Sequence, residues 1–162
     1  MMLVQNKKQR GFTLIELLVA LVLLALIATS AAPLMQVSAK RDKEQELKRA
    51  LWQVRDAIDD FKQAVEDGRI EQSDELSGYP TSLAQLVEGM EDQLDPDHKK
   101  IYFLRRIPRD PFATDTNASN SNTWGKRSYE SSFDDKEAGD DVYDIYSLSE
   151  AVGLNQQPYR EW

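Results

Sequence analysis

The sequence of 162 residues contains no cysteine and a single histidine, His98. The absence of cysteine excludes disulfides, thiolate metal sites and cysteine nucleophiles. One histidine is too few for a histidine-rich metal cluster and leaves little material for a Ser-His-Asp triad. Basic residues are outnumbered by acidic ones: the chain has 20 Lys and Arg and 28 Asp and Glu, which gives a net charge of -8. This balance argues against a nucleic-acid partner, since binding to phosphates requires a basic patch.

Apolar residues are concentrated in one N-terminal segment. Of the 24 residues Phe12–Met35, 19 are apolar, and Leu17–Ile27 contains no polar residue. About 20 apolar residues span the hydrocarbon core of a bilayer, so this segment predicts a transmembrane helix. Lys7, Lys8 and Arg10 precede it. The positive-inside rule therefore predicts a cytoplasmic N-terminus, with the rest of the chain across the membrane.

Three interpretations of this segment compete. It is a secretory signal peptide with a small-residue site near residues 30–32, a plain signal anchor, or a segment in which Glu16 has a function. The first two leave unexplained why a carboxylate lies near the start of the apolar run. Ionisable groups within membrane segments are costly, and they are functional candidates by default.

Residues 8–17, which read KQRGFTLIEL, favour the third interpretation. They resemble the prepilin processing signature of type IV pilins and type II secretion pseudopilins. In that family a membrane enzyme, the prepilin peptidase, cuts after the glycine and methylates the new amine. The resemblance implies a leader at 1–11, cleavage between Gly11 and Phe12, and N-methylation of Phe12. Glu16 then becomes the fifth residue of the mature chain, where the family has its glutamate.

The resemblance also implies a role in assembly for Glu16. An amine at Phe12 and a carboxylate at Glu16 are each costly in an apolar bundle and far less so when paired. In the family the glutamate pairs with the amine of a neighbouring subunit; the alternative is a pair with its own amine one helical turn away. Pro33 falls where many type IV pilins have a proline. It either only curves the helix or provides a point where the helix bends during filament packing.

Residues 36–66 continue the helix with a different pattern. Apolar residues recur every three or four positions and form one stripe: Leu47, Leu51, Val54, Ile58, Phe61 and Val65. Together with 12–35 this predicts one rod of about 80 Å. The stripe is either a coiled-coil seam or, as we expect, a face that packs on the chain's own head domain. Gly68 is a plausible end of the helix.

Residues 67–162 predict a small head domain. Thr81 is expected to cap a short helix over Ser82–Met90. Ile101–Ile107 is apolar enough to be buried, although the pattern does not decide between helix and strand. Three strands are predicted, over Trp124–Phe133, Val142–Leu148 and Tyr159–Trp162.

Motifs in the head resemble one branch of the same family, the major pseudopilins. They occur in order as YPT at 79–81, IPRDPF at 107–112, Trp124-Gly125, YDIYS at 143–147 and Trp162. An Asn/Ser-rich loop separates the second motif from the third, which are contiguous in that branch. The resemblance implies an α+β, pilin-like fold, in which a long N-terminal helix packs on a small antiparallel sheet.

The calcium ligands of that branch are not matched. Ala151 stands where the branch has an aspartate, and residues 159–161 replace an acidic stretch. Calcium takes six to eight oxygens, so the loss of two carboxylates is hard to offset. The acidic residues Asp134, Asp135, Asp140 and Asp141 do not have the spacing of an EF-hand loop. We therefore expect neither calcium nor another cofactor.

The function implied by the resemblance is that of a non-enzymatic structural subunit. The prepilin peptidase processes the chain, and an inner-membrane assembly platform polymerises it with other pilin-like subunits into a periplasmic pseudopilus that drives protein export. The alternative is a major or minor subunit of a type IV pilus or a pilus-like competence apparatus. A membrane-anchored periplasmic enzyme is disfavoured, because the sequence offers no nucleophile–base pair and no set of metal ligands.

Overall fold

The computed structural model describes residues 11–72, 77–132 and 139–162, without the side chains of residues 30–34. The predicted leader, except for Gly11, therefore lies outside the described residues, and so do Asp134 and Asp135. Contacts divide the chain into two compact units, the first ending at Ala39 and the second comprising Lys40–Trp162.

One helix, α1 (Leu14–Glu66), dominates the chain. Its bounds confirm the predicted helix to within two residues at its N-terminal end. The helix ends as Gly68 adopts a left-handed conformation with φ of 70°, and the amide of Arg69 donates to the carbonyl of Ala64 at 2.8 Å. This arrangement satisfies carbonyls that the end of a helix leaves free.

The part of α1 within the second unit carries the core. The predicted stripe from Leu47 to Phe61 is buried, with each side chain at most 2% exposed, and Val65 is partly buried against the same cluster. Eight buried side chains from the head join this cluster: Ile70, Leu83, Leu86, Leu104, Trp124, Val142, Ile145 and Tyr159. The stripe therefore packs on the chain's own head, as we expected, and not in a coiled-coil seam.

The head contains a one-turn helix and two short antiparallel ladders. Helix α2 is Gln85–Glu88; β1 (Met90–Glu91) pairs with β2 (Lys100–Ile101), and β3 (Trp124–Arg127) pairs with β4 (Asp144–Ser147). In the second ladder Gly125 lies opposite Tyr146, and a Cβ at Gly125 would clash with that ring. The α+β, pilin-like architecture is confirmed.

Several local predictions for the head are wrong. Residues 159–161 form a 3₁₀ turn instead of a strand, because Pro158 precedes them and the amide of Trp162 donates back to the carbonyl of Tyr159 at 3.2 Å. Helix α2 is shorter than predicted and Thr81 does not cap it; the amide of Thr81 instead donates to the side chain of Gln85 at 2.8 Å.

The apolar segment 101–107 is a strand only at Ile101. The amides of Phe103 and Leu104 both donate to the carbonyl of Leu86, at 3.1 and 2.8 Å. After Ile101 the segment is therefore held against α2 as irregular chain, since these two amides donate to the carbonyl of Leu86 and not to a neighbouring strand.

Candidate processing and assembly site

The predicted cleavage bond lies just ahead of α1. Gly11 and Phe12 are outside the helix and exposed, and Phe12 is 83% exposed. Apart from its two chain neighbours, no atom of the described residues lies within 4 Å of the position that a Cβ at Gly11 would occupy. A bond of this kind is accessible to a peptidase without unwinding of the helix, because its backbone makes none of the helix hydrogen bonds.

Thr13 caps the first turn of α1. Its hydroxyl accepts a hydrogen bond from the amide of Glu16 at 3.3 Å, and the spacing Thr-x-x-Glu is that of a capping box. The carboxylate of Glu16 lies in the first turn, where the helix dipole favours negative charge. This cap was not predicted, although its signal, a threonine followed by a glutamate three positions later, is visible in the sequence.

From Leu14 to Ile27 the helix surface is apolar on all sides apart from Glu16. The large apolar side chains of this stretch are 52–80% exposed, and they follow one another too closely to form a single stripe. They are Leu14, Ile15, Leu17, Leu18, Val19, Leu21, Val22, Leu23, Leu24, Leu26 and Ile27. A helix that is apolar all round belongs in the interior of a bundle or in lipid.

Two further observations concern this half of the helix. Among the described residues, no helix contains a stretch both long and apolar enough to cross a bilayer. The assigned helix continues through position 33, but the side chain of Pro33 lies outside the described residues. The predicted kink at Pro33 therefore stays a prediction.

A charged network joins the second half of α1, from Lys40 to Glu66, to strand β4. Arg55 donates to the carboxylate of Asp144 at 2.7 Å and to the carbonyls of Ile145 and Trp162 at 3.1 and 2.8 Å. Arg127 on β3 reaches the other carboxylate oxygen of Asp144 at 3.0 Å. One carboxylate between two guanidinium groups thereby fixes the second ladder to the helix.

A second contact holds the C-terminal segment on the helix. Glu44 is buried, and its carboxylate accepts hydrogen bonds from the hydroxyl of Tyr159 at 2.9 Å and the amide of Leu154 at 2.8 Å. Burial and the neighbouring carboxylate raise the pKa of Tyr159 above its ordinary value, so the hydroxyl remains a donor. Lys40 adds a bond to the carbonyl of Val152 at 2.7 Å.

The histidine and the acidic residues singled out in the sequence have ordinary surroundings where the structure describes them. Within it, no group of three or more histidine, aspartate or glutamate side chains is placed to hold a metal ion. Of the candidate acidic residues, Asp141 accepts hydrogen bonds from the hydroxyl of Ser77 and, at 2.9 Å, from the amide of Tyr129. His98 is exposed in the turn between β1 and β2.

Comparisons with known proteins agree with this geometry. Residues 6–32 match the family described as "Prokaryotic N-terminal methylation motif". The chain is 28% identical over 123 residues to "Type II secretion system core protein G" of Pectobacterium carotovorum subsp. carotovorum, an alignment that covers 74% of this chain and 72% of the relative.

Two further relatives carry the same description. The protein of Klebsiella pneumoniae is 26% identical over 67% of this chain and 73% of its own length, and that of Dickeya chrysanthemi is 29% identical over 68% and 67%. No solved structure matches the chain. In the methylation motif at its start and along two thirds of its length, the chain is therefore similar to the type II secretion system core proteins G.

Proposed function

We propose that the protein is a structural, non-enzymatic subunit of a type II secretion pseudopilus. The observation that carries the proposal is the first half of α1, an exposed helix that is apolar on all sides and begins two residues after an accessible Gly11–Phe12 bond. Such a surface needs to be covered by lipid before assembly and by other apolar helices after it. The relatives named core protein G support secretion as the setting.

Processing is the first step of the proposed cycle. The prepilin peptidase cleaves the Gly11–Phe12 bond, removes the leader 1–11 and methylates the new amine of Phe12. The precursor is anchored in the inner membrane by 12–35, with its N-terminus in the cytoplasm and its head in the periplasm. The lysines and arginine ahead of Gly11 support this orientation.

Assembly is the second step. Glu16 pairs with the amine of Phe12 on a neighbouring subunit, and an inner-membrane platform adds the subunit to the filament. The pair sets the register of the subunits, because each charge is costly in an apolar core until it meets the other. Pro33 accommodates a bend of the helix in the filament core.

The mature N-terminus tests the processing step. Mass spectrometry of the protein from cells that contain a prepilin peptidase is expected to find a chain that begins with methylated Phe12. A Gly11→Val variant should keep its leader, because the branched side chain crowds the bond that the peptidase cuts. A mature chain that begins at Met1, or after residue 32, would contradict the proposal.

A charge-matched pair of variants tests the assembly step. Glu16→Ala is expected to be cleaved normally and to abolish sedimentable filaments, whereas Glu46→Ala removes an exposed acid from the second half of the same helix and should leave filaments intact. Deletion of the protein should stop export of a secreted enzyme. Filaments of normal yield from Glu16→Ala would disprove the pairing role.

A further inference from the structure

One tryptophan breaks the polar surface of α1 in the second unit. Trp52 is 68% exposed, on the face of the helix that points away from the core, where its neighbours Arg49, Gln53 and Asp56 are polar and exposed. Tryptophan is among the residues most enriched at energetically dominant positions of protein interfaces. An exposed tryptophan on an otherwise charged face therefore marks a docking position.

A groove lies beside this tryptophan. The Trp52 groove has a volume of about 270 Å³ and is lined by Lys48, Leu51, Trp52, Arg55, Asn155, Gln157 and Trp162. The ammonium group of Lys48 lies 4.7 Å from the centre of the Trp162 ring, over its face. The groove thus combines two aromatic walls with positive charge, which suits an apolar side chain from an acidic segment.

The chain itself presents such a segment. Leu94 is 66% exposed in the turn between β1 and β2, and the acidic residues Glu91, Asp95 and Asp97 surround it in the sequence. A second copy carries the same turn, in which acidic side chains flank the apolar tip formed by Leu94.

The turn is held in a fixed shape before any contact is made. Arg69 binds the carboxylate of Asp92 with two nitrogens, at 3.1 and 2.6 Å, and Asp92 accepts the amide of Leu94 at 3.0 Å. The carboxylate of Asp95 accepts the amide of Asp97 at 2.8 Å. Preorganisation of this kind lowers the entropic cost of binding.

We propose that Leu94 of one copy inserts into the Trp52 groove of a second copy. The contact joins two different surfaces of the same chain, so it is heterologous and leaves both surfaces available for further copies at the ends, as a filament requires. The inference rests on the proposed function, because it assigns a contact between the heads of subunits that polymerise.

Disulfide trapping tests the contact in the full-length protein, which has no cysteine of its own. Gln157→Cys places a thiol on the wall of the groove, and Gln93→Cys places one beside Leu94. Co-expressed single-cysteine chains are assembled into filaments and treated with a mild oxidant. We expect the mixed 93–157 dimer, and neither the 93–93 nor the 157–157 dimer.

Gln63→Cys is the matched control, because Gln63 is an exposed glutamine of α1 outside the groove and its replacement should not pair with the thiol at position 93. Trp52→Ala in the chain that carries Gln157→Cys should lower the yield of the mixed dimer about tenfold, as expected for loss of an interface anchor, while Trp52→Phe retains most of it. Thermal unfolding of Trp52→Ala should be unchanged, since this side chain is exposed.

The outcomes separate this inference from the proposed function. Filaments that form normally but give no 93–157 disulfide, or that join the thiol at position 157 to another protein, overturn the inference and leave the pseudopilus proposal standing. If the correctly processed chain forms no filaments, the proposed function fails and the inference fails with it.

Discussion

Both halves of α1 are helical, but the apolar side chains of the first half are exposed and those of the second half are buried. From Leu14 to Ile27 the large apolar side chains are exposed on all sides, whereas from Leu47 to Phe61 the apolar residues form one buried stripe. The second half obtains its stability from burial against the head of the same chain. The first half leaves its apolar side chains exposed, and such a surface requires lipid or other apolar helices to cover it.

This difference divides stability and assembly between two parts of one helix. Substitutions in the second half should change the free energy of unfolding of the head, and substitutions in the first half should change insertion or polymerisation. The contact-based division of the chain at Ala39 and Lys40 coincides with this division of roles.

The largest expected effect comes from the same substitution made in each half. Leu51→Ala, at a side chain 2% exposed, should lower the free energy of unfolding by about 2–5 kcal/mol, because it removes buried methyl groups and leaves a cavity. Leu18→Ala, at a side chain 52% exposed, should leave head stability unchanged. Urea unfolding of the full chain in detergent measures both. Equal destabilisation by the two variants would contradict the division.

A smaller effect is expected where the second half of α1 holds the C-terminal segment. Glu44→Ala should lower the free energy of unfolding by about 1–3 kcal/mol, because the hydroxyl of Tyr159 and the amide of Leu154 lose a buried acceptor. Tyr159→Phe should lower the free energy of unfolding by less, because the ring can still stack on Phe112, with 4.1 Å between the ring centres. A double-mutant cycle on thermal unfolding checks the pair, and strictly additive effects would show that the two side chains do not interact.

The sequence predicts both halves of the helix well, because periodicity reports directly which faces are apolar. The buried stripe, the end of the helix at Gly68 and the existence of two strands follow from local patterns. The strands predicted over Trp124–Phe133 and Val142–Leu148 are shorter in the structure, at Trp124–Arg127 and Asp144–Ser147. The glutamate at Glu44 is different, because nothing local distinguishes it from the exposed acids around it. Its role depends on Tyr159, which is distant in the sequence.

The wrong predictions for the head also arise because the conformation depends on residues that are distant in the sequence. A pattern of aromatic residues near Tyr159 resembles a strand, but pairing is limited to one isolated bridge between Val152 and Pro158, and residues 159–161 then form a 3₁₀ turn. The apolar residues after Ile101 are buried as predicted, yet their amides bond to Leu86. The conformation of these segments depends on the residues that they contact in the folded chain, and the local sequence does not show which residues those are.

The smallest effects expected concern pH, and they oppose each other within the charged second unit. The Arg69 guanidinium holds the pKa of Asp92 below its ordinary value of 3.8, so this carboxylate stabilises the fold above that pH. Burial, followed by repulsion from Asp56, Asp60 and Asp144, raises the pKa of Asp59, so its charged form destabilises the fold at neutral pH. Asp92→Asn should therefore lower the Tm at pH 7, and Asp59→Asn should raise it.

The difference in Tm between each variant and the unsubstituted protein should disappear in acid, for opposite reasons in the two cases. The stabilisation by Asp92 is lost as pH falls through its lowered pKa, and the destabilisation by Asp59 is relieved as pH falls through its raised pKa toward 3.8. Glu16→Gln, in the first half of α1, is the control and should leave the Tm of the head unchanged at every pH. Thermal unfolding between pH 3 and pH 7 tests the set. If Glu16→Gln moved the Tm of the head as much as the other two variants, the two halves would not be energetically separate, because a side chain of the first unit would then contribute to the stability of the second.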